Sequence, residues 1–141
     1  NTRAIHLDGI DISASCIRHA RRGVYHPHTL QNVPKLTQHA FMTRDDQGNM
    51  TLDPVVTTDT AFFKCNLLND PLPSLSYDMI LCRNLLMYLP DHARQRVLDR
   101  LADALVPGGF LFLGKAESCQ EFMTRFEKQQ AGTVFFYQRV H

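Results

Sequence analysis

The sequence holds no tryptophan, and its four cysteines, Cys16, Cys65, Cys82 and Cys119, lie far apart with no CxxC pair. Without paired spacing, neither a zinc ribbon nor a redox dithiol is indicated, and a reduced, cytoplasmic compartment is the simpler expectation. No apolar run approaches about 18 residues, so no membrane-inserted helix is expected. A basic segment followed by an apolar one, the mark of a signal peptide, is also missing. Charge of one sign is lacking too. Fifteen Lys and Arg oppose 14 Asp and Glu for a net charge of +1, which gives no ground for nucleic acid or anionic lipid as a partner. His26 and His28 have no further ligands at metal spacing, and Ser118-Cys119 has no base at a diagnostic spacing. Neither a metal site nor a hydrolytic nucleophile is therefore expected. What is present, 141 residues at 44% hydrophobic and 21% charged, fits one globular domain. The chain begins at Asn1 rather than Met, which suggests processing or a piece of something longer.

Residues 4–11 read as a short strand ending in Asp11. Ser13 is placed to cap a helix, Ile17, Ala20 and Arg21 continue at helical spacing, and Gly23 is a natural terminator. Residues 26–60 differ in texture. Phe41-Met42-Thr43 and Met50-Thr51-Leu52 flank the polar turn Asp45-Asp46-Gln47-Gly48-Asn49 and are expected to pair as a hairpin within a small β insertion. Residues 61–65 form the next strand and lead to Asn66-Leu67-Leu68. Residues 77–82 are nearly all apolar, as in a strand buried on both faces, and stop at Arg83-Asn84. Pro90 opens a helix with Val97, Leu98, Leu101, Ala102 and Leu105 as its stripe. Pro107-Gly108-Gly109 is expected to end it. A buried strand over 110–113, a helix over 121–128 and a last strand over 133–137 complete the pattern. Strands alternating with helices imply a mainly parallel α/β sheet, whose ligands bind beyond the carboxyl ends of the strands.

That rule selects the polar residues at strand ends. Asp11 either accepts both hydroxyls of a ribose or caps the helix behind it. Asn66 either holds a turn or meets an adenine edge, with Leu67 packing on the ring. Arg83-Asn84 follow a buried strand and must find partners. They either clamp a carboxylate or pair with Asp78 or Asp70. Tyr88 either lines the same cleft or packs with its hydroxyl in water.

The stretches Gly9-Ile10-Asp11-Ile12-Ser13, Ala20-Arg21-Arg22-Gly23-Val24-Tyr25, Asn66-Leu67-Leu68, Tyr77 through Tyr88, Pro107 through Gly114 and Ala116-Glu117-Ser118 keep one order and spacing. Together they resemble the CheR-type chemotaxis receptor methyltransferases, protein-glutamate O-methyltransferases, in the C-terminal portion of the catalytic domain. The resemblance implies a Rossmann-like sheet that uses S-adenosylmethionine, yields S-adenosylhomocysteine, and methylates glutamates on chemoreceptor cytoplasmic helices. It makes Asp11 the ribose contact, Asn66 and Leu67 the adenine side, and Arg83 and Asn84 the rim beside the cofactor and the entering glutamate, with Arg83 and Tyr88 positioning that substrate. Residues 26–60 match the family's small β-subdomain. No general base is expected, because a carboxylate is already ionised at neutral pH.

Two departures stand out. The family's His-Ser-Glu run reads Lys115-Ala116-Glu117 here. The family's Gly-rich cofactor turn and its strand, which precede the strand ending at Asp11, are not in these residues. The expectation is therefore a sheet incomplete at its N-terminal side, weak cofactor binding, impaired activity and self-association through unpaired edges. The rival reading is a non-catalytic module that docks a signalling partner. A methyltransferase acting on RNA fits the neutral charge poorly.

Overall fold

The computed structural model describes residues 5–114, 117 and 124–140. The chain divides into two units, Asn1–Asn66 and Leu67–His141.

In the first unit, strand β1 (Leu7–Asp11) leads to helix α1 (Ala14–Arg22). Ser13 caps α1, its hydroxyl accepting from the Cys16 amide at 3.4 Å. Gly23 ends it at φ 62°, a left-handed conformation that costs glycine little. Then come β2 (Val24–Tyr25), a 3-10 turn (Pro27–Leu30), α2 (Lys35–Phe41), β3 (Met42–Arg44), β4 (Met50–Leu52), α3 (Pro54–Thr57) and β5 (Thr60–Lys64). Strands β1 and β5 pair in parallel from Leu7↔Thr60 to Asp11↔Lys64. The others form an antiparallel sheet in the order β2-β4-β3. The hairpin turn is held by Asp45, whose Oδ1 accepts from the amides of Gln47 and Asn49 at 2.9 and 2.8 Å. Phe41 closes α2 instead of entering the hairpin. Helix α2 escapes sequence patterning because its buried residue is polar. Gln38 donates from Nε2 to the carbonyls of Leu30 and Val33 at 3.0 and 2.8 Å, while Leu36 is exposed.

The second unit is built from β6 (Tyr77–Cys82), a 3-10 turn (Leu86–Tyr88), α4 (Asp91–Ala104), β7 (Leu105–Leu113), β8 (Phe126–Ala131) and β9 (Val134–Arg139). Its sheet runs β6-β7-β9-β8. The β6–β7 pair is parallel, whereas β7–β9 and β8–β9 are antiparallel. The sheets are thus less parallel than the sequence pattern implied, because the chain closes on a β8–β9 hairpin. Helix α4 lays Val97, Leu98, Leu101 and Ala102 into a core with Leu86, Leu105, Leu111 and Tyr137.

Three further expectations need correction. Helix α4 ends at Ala104, before Pro107-Gly108-Gly109, which lies inside β7. There the register shifts from Tyr77↔Leu105 to Met79↔Phe110. Gly108 takes φ 78°, and a Cβ on Gly109 would come within 2.9 Å of the Val106 carbonyl oxygen, so the pair forms a bulge rather than a helix stop. Strand β6 is not buried on both faces. Within its unit's sheet, among the described residues, it pairs with β7, and Met79 and Leu81 are 53% and 68% exposed. Residues 126–128 belong to β8 rather than to a helix, because Phe126, Glu127 and Lys128 find partners along β9. Residues 121–123 of that expected helix lie outside the described residues.

Candidate functional site

The first unit delivers two of the expected residues to one sheet end. Strands β1 and β5 run in parallel, and the Cys65 amide donates to the Asp11 carbonyl at 2.9 Å. Asp11 and Asn66 therefore emerge from the same carboxyl edge, where parallel sheets receive ligands. Asp11 is exposed. Its Oδ1 accepts from the Ser13 amide at 2.7 Å, so the helix-entry role weighed against ribose binding is present. That role occupies one oxygen and is compatible with a ligand on the other. Asn66 is half-buried. Leu67 opens the second unit and packs against that unit's core.

The second unit carries the others. Cys82 pairs with Leu113 at the carboxyl edge of β6 and β7, and Arg83 and Asn84 follow, both exposed. Two ion pairs of this unit, Arg94–Asp91 and Arg125–Asp103, do not involve Arg83. Tyr88 closes the 3-10 turn and is 76% exposed. Leu86, at 0% exposure, anchors that turn in the core.

Glu117 was missed as a participant, although it stands in a matching stretch of the sequence. It is buried, at 7% exposure. Its Oε1 accepts from the amides of Leu85 and Leu86, both at 2.8 Å. Its Oε2 accepts from Asn84 at 2.9 Å and Gly114 at 2.7 Å. Burial by itself pushes the carboxyl group up, but the four amides outweigh it and hold Glu117 below the ordinary glutamate range. Asn84 takes φ 58° and Leu85 φ −119°, ψ −51°. Successive left- and right-handed residues turn their N–H groups to one side, a concavity suited to an anion. Here the chain supplies the anion. The signal available in the sequence was a glutamate in a matching stretch, but three of its four partners, Asn84, Leu85 and Leu86, lie 33, 32 and 31 residues back and only folding reveals them.

Residues 1–135 match the family described as CheR methyltransferase, SAM binding domain. The chain belongs to the CheR methyltransferase family. A chemotaxis protein methyltransferase of Vibrio parahaemolyticus is 29% identical over 135 residues, covering 95% of this chain and 49% of that protein. Chemotaxis protein methyltransferase 1 of Pseudomonas aeruginosa is 26% identical over 135 residues, with 94% and 49% covered. The chain thus spans about half the length of the curated relatives it matches. Among solved structures, the N-methyltransferase NodS of Bradyrhizobium japonicum, in complex with S-adenosyl-L-homocysteine, aligns with a TM-score of 0.57 at 13% identity. That alignment covers 96% of this chain and 67% of NodS. At that identity the likeness speaks for the fold, which is the Rossmann-like α/β sheet of S-adenosylmethionine-dependent methyltransferases.

Proposed function

We propose that this CheR chain contributes to methyl transfer from S-adenosylmethionine to glutamate side chains on the cytoplasmic helices of chemoreceptors. The observation that carries the reading is the second rim: Arg83, Asn84 and Tyr88, all exposed, stand directly past the end of a parallel strand, and no carboxylate among the described residues pairs with Arg83. The cofactor, when bound, supplies a methyl group already activated on a positively charged sulfur. Asp11, with one oxygen open, suits a ribose diol. Asn66 and Leu67 are read as contacts of the adenine side, and Asn84 as a further cofactor contact. A glutamate substrate is ionised at neutral pH and needs no general base. Arg83 holds its carboxylate by the planar fork of the guanidinium, and Tyr88 orients it.

Residues 26–60 are read as the family's β-subdomain, and the chain as cytoplasmic. Strand β6 ends its own unit's sheet and exposes Met79 and Leu81, which supports self-association. Light scattering is expected to show oligomers that Leu81→Lys dissociates, and a monodisperse wild-type monomer contradicts this.

The test of function is mass spectrometry of chemoreceptor cytoplasmic fragments after incubation with the chain and S-adenosylmethionine. Gain of one methyl group on glutamate, abolished by Arg83→Ala, is the expected result. No glutamyl ester at saturating cofactor, or methyl groups on other side chains, overturns the reading.

A further inference from the structure

Glu117 is a buried carboxylate that the chemistry above leaves unused. Its carboxylate sits across the start of the loop that carries the exposed rim. The amides of Asn84, Leu85 and Leu86 open the turn leading to Tyr88, and all three donate to its two oxygens at 2.8–2.9 Å. The amide of Gly114, at the end of β7, donates at 2.7 Å to the same Oε2 that holds Asn84. The Glu117 amide in turn donates to the Gly114 carbonyl at 3.0 Å. The ends of β6 and β7 are thus tied to one side chain.

We infer that Glu117 is the positioning residue of this rim: its carboxylate fills the concavity formed by Asn84, Leu85 and Leu86 and thereby sets the direction in which Arg83, Asn84 and Tyr88 leave the sheet. The geometry requires a carboxylate. Four N–H groups need two oxygens with two lone pairs each, and a glutamine offers one such oxygen and an NH2 that confronts the remaining donors. Left-handed Asn84 is held in place by the same bonds, so its backbone serves the loop while its side chain stays exposed. Arg83 and Tyr88 have no bond to Glu117 themselves. They are positioned through the loop. The consequence for methyl transfer rests on the proposed function, whereas the role in the loop does not.

Amide hydrogen exchange on the isotope-labelled full chain tests the idea. In the wild-type protein the amides of Asn84, Leu85 and Leu86 are expected to exchange slowly, although they open a turn and face a side chain rather than a carbonyl. In Glu117→Gln they are expected to accelerate at least about tenfold, with Leu98 and Leu111 in the core unchanged. Backbone order at Arg83 and Tyr88 is expected to fall with them. Glu117→Asp, which keeps both oxygens, is expected to retain more protection than Glu117→Gln. Rapid exchange of the three amides in wild type, uniform acceleration across the core, or the reverse order of the two variants overturns the inference. Methyl transfer is measured beside it, with kcat/KM expected to fall at least about tenfold in Glu117→Gln. If the wild-type chain transfers no methyl group, the proposed function fails, and the exchange data still decide the role of Glu117.

Discussion

Replacing Gly114 by alanine probes the Glu117 clamp without touching the carboxylate. A Cβ at that position lies 2.5 Å from Glu117 Oε2, 3.2 Å from its Cδ and 3.3 Å from the Asn84 nitrogen. The first distance is far inside contact, so the carboxylate must retreat. Gly114 is not among the positive-φ glycines, so alanine brings no backbone strain and the cost isolates the displacement. Retreat of Oε2 breaks its bonds to Gly114 and Asn84, now 2.7 and 2.9 Å. Hydrogen bonds to a charged group are worth about 1.5–3 kcal/mol each, so losing two predicts about 3–6 kcal/mol. That is a large share of a domain's stability of about 5–15 kcal/mol. Urea unfolding followed by tyrosine fluorescence reads it, because Tyr77, Tyr88 and Tyr137 all belong to the second unit. In a Glu117→Ala background there is no carboxylate to displace, and the same substitution is expected to cost under about 1 kcal/mol. Equal costs in both backgrounds would refute the reasoning, as would a cost under about 1 kcal/mol in the wild-type background.

The other expectations are simpler. The folded-state value of Glu117 lies below its unfolded one, so the clamp stabilises fully above the unfolded value and is lost as pH falls through the folded one; unfolding midpoints of wild type and Glu117→Gln should converge in acid, and a constant gap counts against this. Leu98, 1% exposed at the centre of α4's buried face, should lose about 2–5 kcal/mol on change to alanine, read by the same unfolding curves. Arg83→Ala removes an exposed side chain with no ion-pair partner among the described residues. Its unfolding free energy should stay within about 0.5 kcal/mol of wild type while methyl transfer is lost, and a destabilised variant would make Arg83 structural.

Local chemistry carried much of this molecule in plain view. Ser13 and Gly23 bracket α1 because a hydroxyl cap and a left-handed glycine act within a few residues. The apolar stripe of α4 follows from side-chain period, and the strands observed at 60–64, 77–82 and 134–139 were legible as short apolar runs at 61–65, 77–82 and 133–137. Asp11, Asn66 and Arg83-Asn84 could be picked out because each ends an apolar strand. Other features depend on residues distant in sequence. Helix α2 turns on Gln38 satisfying two carbonyls of an earlier turn, so its buried position carries no apolar signal. The glycines at 108 and 109 look like a helix stop until pairing with β6 makes them a bulge. Residues 126–128 pair as a strand because β9 lies beside them. Above all, nothing near Glu117 in the chain announces four amide donors. A buried carboxylate is worth what its partners make it, and those partners at 84–86 are gathered only when β6 and β7 lie side by side.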